Sequence, residues 1–129
     1  MIKIKIKSME RIESIDITKE VEKVIKKQEK DEGIAFIYCP HTTAGLTINE
    51  GFDRTVMIDL NKKLKELIPK EENYLHLEGN SDAHIKSSLI GNQIFLFFEN
   101  KELKLGTWQR IFFLEFDGPR EREIWIKIL

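Results

Sequence analysis

Ile2, Ile4 and Ile6 alternate with Lys3, Lys5 and Lys7, so the chain opens with a strand that is apolar on one face and solvated on the other. A second strand is expected around Arg11–Ile17. Thr18 then reads as a helix N-cap, with Glu20 and Glu22 in the first turn, where the helix dipole favours acids. Val21, Val24, Ile25 and Gln28 form one stripe of that helix, which ends before Gly33. Ile34–Cys39 is an apolar run of strand length, broken by Pro40, and Leu46 and Ile48 mark the next strand. Asp53 is placed to cap a second helix, with Phe52 and Met57 at its two staple positions. Val56, Leu60, Leu64 and Leu67 make its apolar face, and Pro69 stops it. Asn73–Asn80 reads as extended, and Ser81 or Asp82 caps a short helix running to Ile90, with Gly91 beyond its end. Ile94–Phe98, Leu103–Leu105, Ile111–Phe116 and Ile124–Ile128 read as strands separated by turn residues.

Consecutive strands at both ends with helices between them point to an α+β fold rather than regular βαβ alternation. The expected architecture is a single domain over residues 1–129. It has a mainly antiparallel curved sheet or partial barrel, two main helices and one short helix. Length and composition agree: 129 residues with 41% hydrophobic content suit one domain with a real core. A net charge of −1 lacks the basic footprint of a nucleic-acid binder. No apolar run is long enough to span a bilayer, and the N-terminus is not a signal peptide. A single cysteine excludes an internal disulfide framework. These features predict a cytoplasmic protein with neither nucleic-acid nor membrane partners.

Three segments depart from simple patterning: residues 39–54, 73–84 and 105–120, and all three histidines lie in the first two. In an extended chain His76, Glu78 and Asn80 would share one face, with Asp82 and His84 following at the start of a helix. Imidazoles beside carboxylates suit a divalent ion of the zinc, manganese or iron type. A polar turn whose Asp caps a helix is the alternative. His41 precedes Thr42, Thr43 and Gly45, and hydroxyls with backbone amides after a strand can cradle a phosphate. Three histidines in polar loops could hold one metal with a coordination position left open. Glu50 ends a strand where a catalytic carboxylate could sit. Asp117-Gly118-Pro119-Arg120 is a turn that could present Arg120 to a phosphate. Cys39 reads as a small buried residue rather than a nucleophile.

HTTAGLTINE at 41–50, NYLHLEGNSDAH at 73–84 with IKSSLIGN behind it, and LGTWQ…EFDGPR at 105–120 together resemble the YjbQ-like, secondary thiamine-phosphate synthase family. The resemblance implies a compact α+β homotrimer with clefts near the subunit boundaries and a small phosphorylated substrate. It implies His41, His76 and His84 as ligands of a divalent metal ion, zinc first, with magnesium or manganese as alternatives. Glu50, Glu78, Asp82 and Gln109 become candidate catalytic residues. Thr42, Thr43, Asn80, Gly106, Asp117 and Arg120 become candidate substrate-binding residues. Gly51-Phe52 and Arg110 depart from the common pattern. The implied reaction joins a pyrimidine methyl diphosphate to a thiazole phosphate and expels pyrophosphate, with the metal and Arg120 facing the leaving diphosphate. Two alternatives stand beside it. One is a metal-dependent hydrolase with Glu50 or Glu78 as base. The other is a non-catalytic metal- or ligand-binding protein.

Overall fold

A computed structural model describes all residues, Met1–Leu129. Its elements run β1 (Ile2–Lys7), β2 (Glu13–Asp16), α1 (Thr18–Lys26), β3 (Gly33–Tyr38), β4 (Ala44–Glu50), α2 (Arg54–Leu67), α3 (Ser81–Ile90), β5 (Gln93–Glu99), β6 (Glu102–Leu103), β7 (Gln109–Glu115) and β8 (Glu121–Ile128). The strands pair antiparallel in a five-stranded sheet, β1-β8-β3-β5-β6, and a three-stranded sheet, β2-β7-β4. The expected α+β domain with a curved antiparallel sheet and three helices is therefore what the chain forms. No helix is long and apolar enough to cross a membrane.

The alternating strands put one face inward. Ile6, Ala35, Ile37, Leu96, Phe98, Ile124 and Ile126 of the large sheet meet Ala44, Leu46, Ile111 and Phe113 of the small one, and Ile17, Val21, Val24 and Ile25 add the helix α1. β7 reads Ile111-Phe112-Phe113-Leu114 without alternation because both of its faces are covered. Ile111 and Phe113 face the large sheet. Phe112, Leu114 and Phe116 pack against Met57 and Leu64 of α2 and Ala83 of α3.

A buried ion pair joins the two sheets. Glu115 falls on the same face of β7 as Ile111 and Phe113, and Arg122 on the same face of β8 as Ile124 and Ile126. Arg122 Nε donates to Glu115 Oε1 at 2.9 Å and Nη2 donates to Oε2, so the contact is bidentate. The Ser8 hydroxyl donates to Glu115 Oε1 at 2.6 Å. Burial pushes the Glu115 carboxyl up, but the guanidinium, the Ser8 hydroxyl and the Asp117 N–H outweigh it and hold the group below the usual carboxylate range. Asp82 behaves alike: burial raises it, and Arg11 and Lys86 more than offset that rise.

Several local expectations are corrected. Thr18 does not cap α1 with its side chain. Its hydroxyl instead accepts the Ile111 N–H at 2.8 Å, and Asp16 Oδ1 takes the Thr18 N–H at 2.9 Å. Asp53 does cap α2, accepting from the Thr55 N–H at 2.9 Å. Phe52 is exposed and lies edge-on to Trp108, with ring centroids 5.9 Å apart, rather than buried as a staple. Residues 73–80 form turns, not a strand, because no neighbouring strand offers them a ladder. Leu75 and Leu77 are each 96% exposed. The strand expected at Leu103–Leu105 shrinks to Glu102–Leu103, entered through Asn100 and Lys101 at φ 53° and 59°.

Because Glu115 and Asp82 sit below their unfolded values, their contribution is complete above about pH 5 and is lost as pH falls through the depressed folded values. Unfolding free energy from urea titrations should therefore be flat near neutrality and fall steeply below about pH 4. Glu115→Gln should be less stable at pH 7 by about 3–5 kcal/mol, since it strands the Arg122 charge, and should show a shallower acid slope. An unchanged acid slope in this variant would rule out the account.

Candidate functional site

The site begins where β3 runs out. β3 and β8 pair in a register in which Ile34 and Leu129 exchange both backbone hydrogen bonds, and Tyr38 stands opposite Trp125. Continued by one hydrogen-bonded rung, that register sets Pro40 opposite Glu123. Proline has no N–H, so the rung cannot form. What is lost is the donor to the Glu123 carbonyl, and the next side chain stands in its place: His41 Nε2 lies 3.1 Å from the Glu123 carbonyl oxygen and 2.9 Å from the Glu123 nitrogen. The neutral ring donates from Nε2 to the carbonyl or accepts there from the N–H, according to its tautomer. Burial, then the Arg122 charge, lowers the imidazole below the ordinary histidine value, which favours that neutral form at pH 7.

Beyond His41, β4 and α3 are drawn together. The Ser87 hydroxyl donates to the Ala44 carbonyl at 2.7 Å, and the Leu46 N–H donates to the Gly91 carbonyl at 3.1 Å. A Cβ on Gly45 would lie 2.8 Å from that carbonyl, so the approach of the helix end requires glycine there. The resulting cleft has two connected lobes. One, about 470 Å³, is lined by His41, Thr42, His84, Ser87, Ser88, Gly91 and Asn92. The other, about 330 Å³, is lined by Pro40, His41, Thr42, Thr43, Glu78, Asn80, His84, Arg120 and Arg122. Neither lobe presents a hydrophobic side chain.

The sequence-predicted residues divide three ways. His41, Thr42, Thr43, Glu78, Asn80, His84 and Arg120 all line the cleft. Two others sit behind it. Asp117 Oδ2 accepts from both Asn80 Nδ2 at 2.9 Å and Arg120 Nη2 at 3.0 Å. Asp82 is fully buried and spent on Arg11 and Lys86, so it is not a catalytic group facing substrate. Glu50, Gln109 and Gly106 lie elsewhere in the subunit. Glu50 and Gln109 are register partners at the far end of β7, about 20 Å along the strand from Glu115. Glu50 Oε2 accepts the Phe52 and Asp53 N–H groups, and Gln109 Oε1 accepts the Gly106 N–H at 2.8 Å, so both close turns. A second cavity of about 420 Å³ near Glu50 contains five acids, but the carboxylates of Glu13, Asp16, Glu50 and Asp53 are all engaged with backbone N–H groups or Arg110.

The histidines do not form the expected metal triad. His76 and His84 stack edge-on with centroids 5.3 Å apart, and His76 Nε2 lies 3.7 Å from Glu78 Oε2. His41 spends Nε2 on the Glu123 backbone. Nowhere do three His, Cys, Asp or Glu side chains converge in a set able to hold an ion. The donor set therefore does not fit the implied metal. Cys39 is buried, as expected, and burial raises its thiol well away from thiolate chemistry.

Arg122 is the cleft residue that the sequence pattern did not single out. Its side chain is only 6% exposed, and it lines the cleft. Nε and Nη2 are committed to Glu115 and Thr43, which leaves both Nη1 hydrogens for a ligand. The available signal was its phase: an arginine in step with Ile124 and Ile126 on an apolar stripe, with Glu115 equally in step on β7. Ser87, Ser88 and Asn92 had no comparable signal, because only the α3–β4 contact brings them to the cleft.

A family model described as UPF0047 protein YjbQ-like matches residues 2–129. The chain is 53% identical to UPF0047 protein MJ1081 of Methanocaldococcus jannaschii, over 100% of this chain and 94% of that one. It is 48% identical to UPF0047 protein YugU of Bacillus subtilis, over 98% and 96% of the two chains. Among solved structures, an uncharacterized conserved protein of the yjbq/upf0047 family from Clostridium acetobutylicum superposes with a TM-score of 0.97 at 46% identity, covering all of both chains. These relatives are described by family alone and not as thiamine-phosphate synthases. With the histidine-rich metal site also absent, the expectation of a thiamine-phosphate synthase working at such a site is overturned. Full-length matches in sequence and fold mean that this chain belongs to the UPF0047 YjbQ-like family.

Proposed function

We propose that the protein binds a small phosphorylated molecule in the His41–Arg122 cleft. The observation that carries this reading is Arg122, a buried guanidinium in the lining of a cavity without hydrophobic side chains, whose Nη1 has no hydrogen-bond partner within the chain. The N–H groups of Nη1 are charge-assisted donors for a phosphate oxygen. Thr42 and Arg120 line the same lobe and add further donors. His41, which burial and then the Arg122 charge favour in its neutral form, and His84 line both lobes and add ring nitrogens as polar partners.

We further propose a homotrimer. Phe36, Tyr38, Phe95 and Phe97 stand between 41% and 55% exposed on the outer face of the large sheet, where Tyr38 stacks on Trp125. Further copies of the chain would cover this aromatic face and the exposed Leu75 and Leu77.

Inorganic phosphate titrated into the protein at pH 7.5 should give saturable binding by calorimetry, and Arg120→Ala should weaken it about tenfold. No heat of binding would sink the reading. In nitrogen-15 NMR, His41 should titrate below the ordinary histidine range. A titration at or above that range would contradict the assignment. Light scattering after size exclusion should return three times the chain mass, and a monomer at micromolar concentration would remove the trimer.

A further inference from the structure

Asn80 is the N-cap residue of α3, is 8% exposed, and lines the cleft together with Glu78 and Arg120. Its Nδ2 donates to Asp117 Oδ2 at 2.9 Å. An ionised carboxylate can only accept, so this bond orients the amide and leaves Oδ1 as the group with no assigned partner. Oδ1 is buried and receives no hydrogen bond from the chain. Buried acceptors are almost always paired, so an unpaired one in the wall of a polar cleft is a place reserved for a donor from outside the chain.

Its surroundings are held rigidly. Asp117 Oδ2 binds Asn80 and Arg120 together, and Asp117 Oδ1 lies 3.9 Å from Arg11 Nε. Asn80 therefore keeps a set position relative to the arginine that closes the phosphate lobe. Glu78, whose carboxylate is largely exposed, adds a second acceptor to the same lobe. The lobe thus combines donors, from Arg120, Arg122 and Thr42, with acceptors on Asn80 and Glu78.

We propose that Asn80 Oδ1, with Glu78 beside it, is a subsite for a hydrogen-bond donor, a hydroxyl or ammonium group, carried by the same molecule whose phosphate the arginines hold. This rests on the phosphate reading above and narrows it: the ligand is a phosphomonoester with a donor a few bonds from phosphorus. A plain alkyl phosphate would engage the donors and leave Oδ1 unpaired, which is the arrangement that polar sites discriminate against.

Three phosphomonoesters of matched size test the proposal by calorimetry on the intact protein at pH 8: n-propyl phosphate, 2-hydroxyethyl phosphate and 2-aminoethyl phosphate. The two donor-bearing esters should bind roughly tenfold more tightly than the propyl ester. In Asn80→Ala that ratio should fall toward one. A loss shared equally by all three, with the ratio kept, would mean that Asn80 only shapes the fold, and the subsite would be abandoned. Equal binding of the three esters to the unaltered protein would also remove the subsite while leaving the phosphate reading intact. Binding of none would remove both. Should Asn80→Ala fail to fold, a crystal structure of the unaltered protein with 2-aminoethyl phosphate decides. An ammonium nitrogen within hydrogen-bond distance of Oδ1 supports the subsite. A water held on Oδ1 with the ammonium turned to solvent overturns it.

Discussion

The bidentate contact between Glu115 and Arg122 is the interaction on which the rest of the molecule depends. It joins the one strand of the small sheet that is covered on both faces to a strand inside the large sheet. Either charge alone among Ile111, Phe113, Ile124 and Ile126 would be prohibitively desolvated. Together, with Ser8 and Thr43 supplying the remaining hydrogen bonds, they specify how the sheets meet. An apolar pair of similar volume could have filled the space, but it would have provided no directional contact and no donor at the cleft.

The cleft is a consequence of that arrangement. Arg122 meets Glu115 with its Nε–Nη2 edge and, with Nη1 unpaired, shares the lining of the space beside His41 and Thr42. The same charge depresses the His41 imidazole, after burial, and Pro40 ensures that the imidazole rather than a backbone amide completes the β8 ladder. A break in strand pairing thereby becomes an imidazole fixed at the mouth of a cavity. Structural and chemical roles share atoms here, so each arginine in the lobe is already paired with a carboxylate on its protein side. A ligand would bind to oriented donors rather than to a pool of excess positive charge.

The three motifs behave differently once folded. The first and second converge on the cleft through Thr42, Thr43, Glu78, Asn80 and His84. The third is divided by β7: Gly106 and Gln109 close a turn at one end, while Asp117 and Arg120 serve the cleft at the other. A motif contiguous in sequence becomes two distant features because an extended strand carries its ends apart by about 3.3 Å per residue.

The sequence by itself determined the element order, the α+β class and much of the core: alternation in β1 and the helical stripe of α1 report burial directly, while the apolar runs of β3 and β5 mark strands without telling which face is covered. It also marked the segments from which the cleft is built. It could not decide which polar residues meet. The 73–80 segment reads as alternating, yet it has no strand to pair with and folds into turns, so the predicted alignment of His76, Glu78 and Asn80 along one strand face does not occur. Glu50 and Asp82 have the composition of catalytic carboxylates, but tertiary contacts spend one on backbone amides and the other on Arg11 and Lys86. Local periodicity encodes which side of an element is buried, whereas the partner of a charge is set by contacts far apart in sequence. Only the folded chain places Arg122 against Glu115 and leaves Asn80 Oδ1 without a donor.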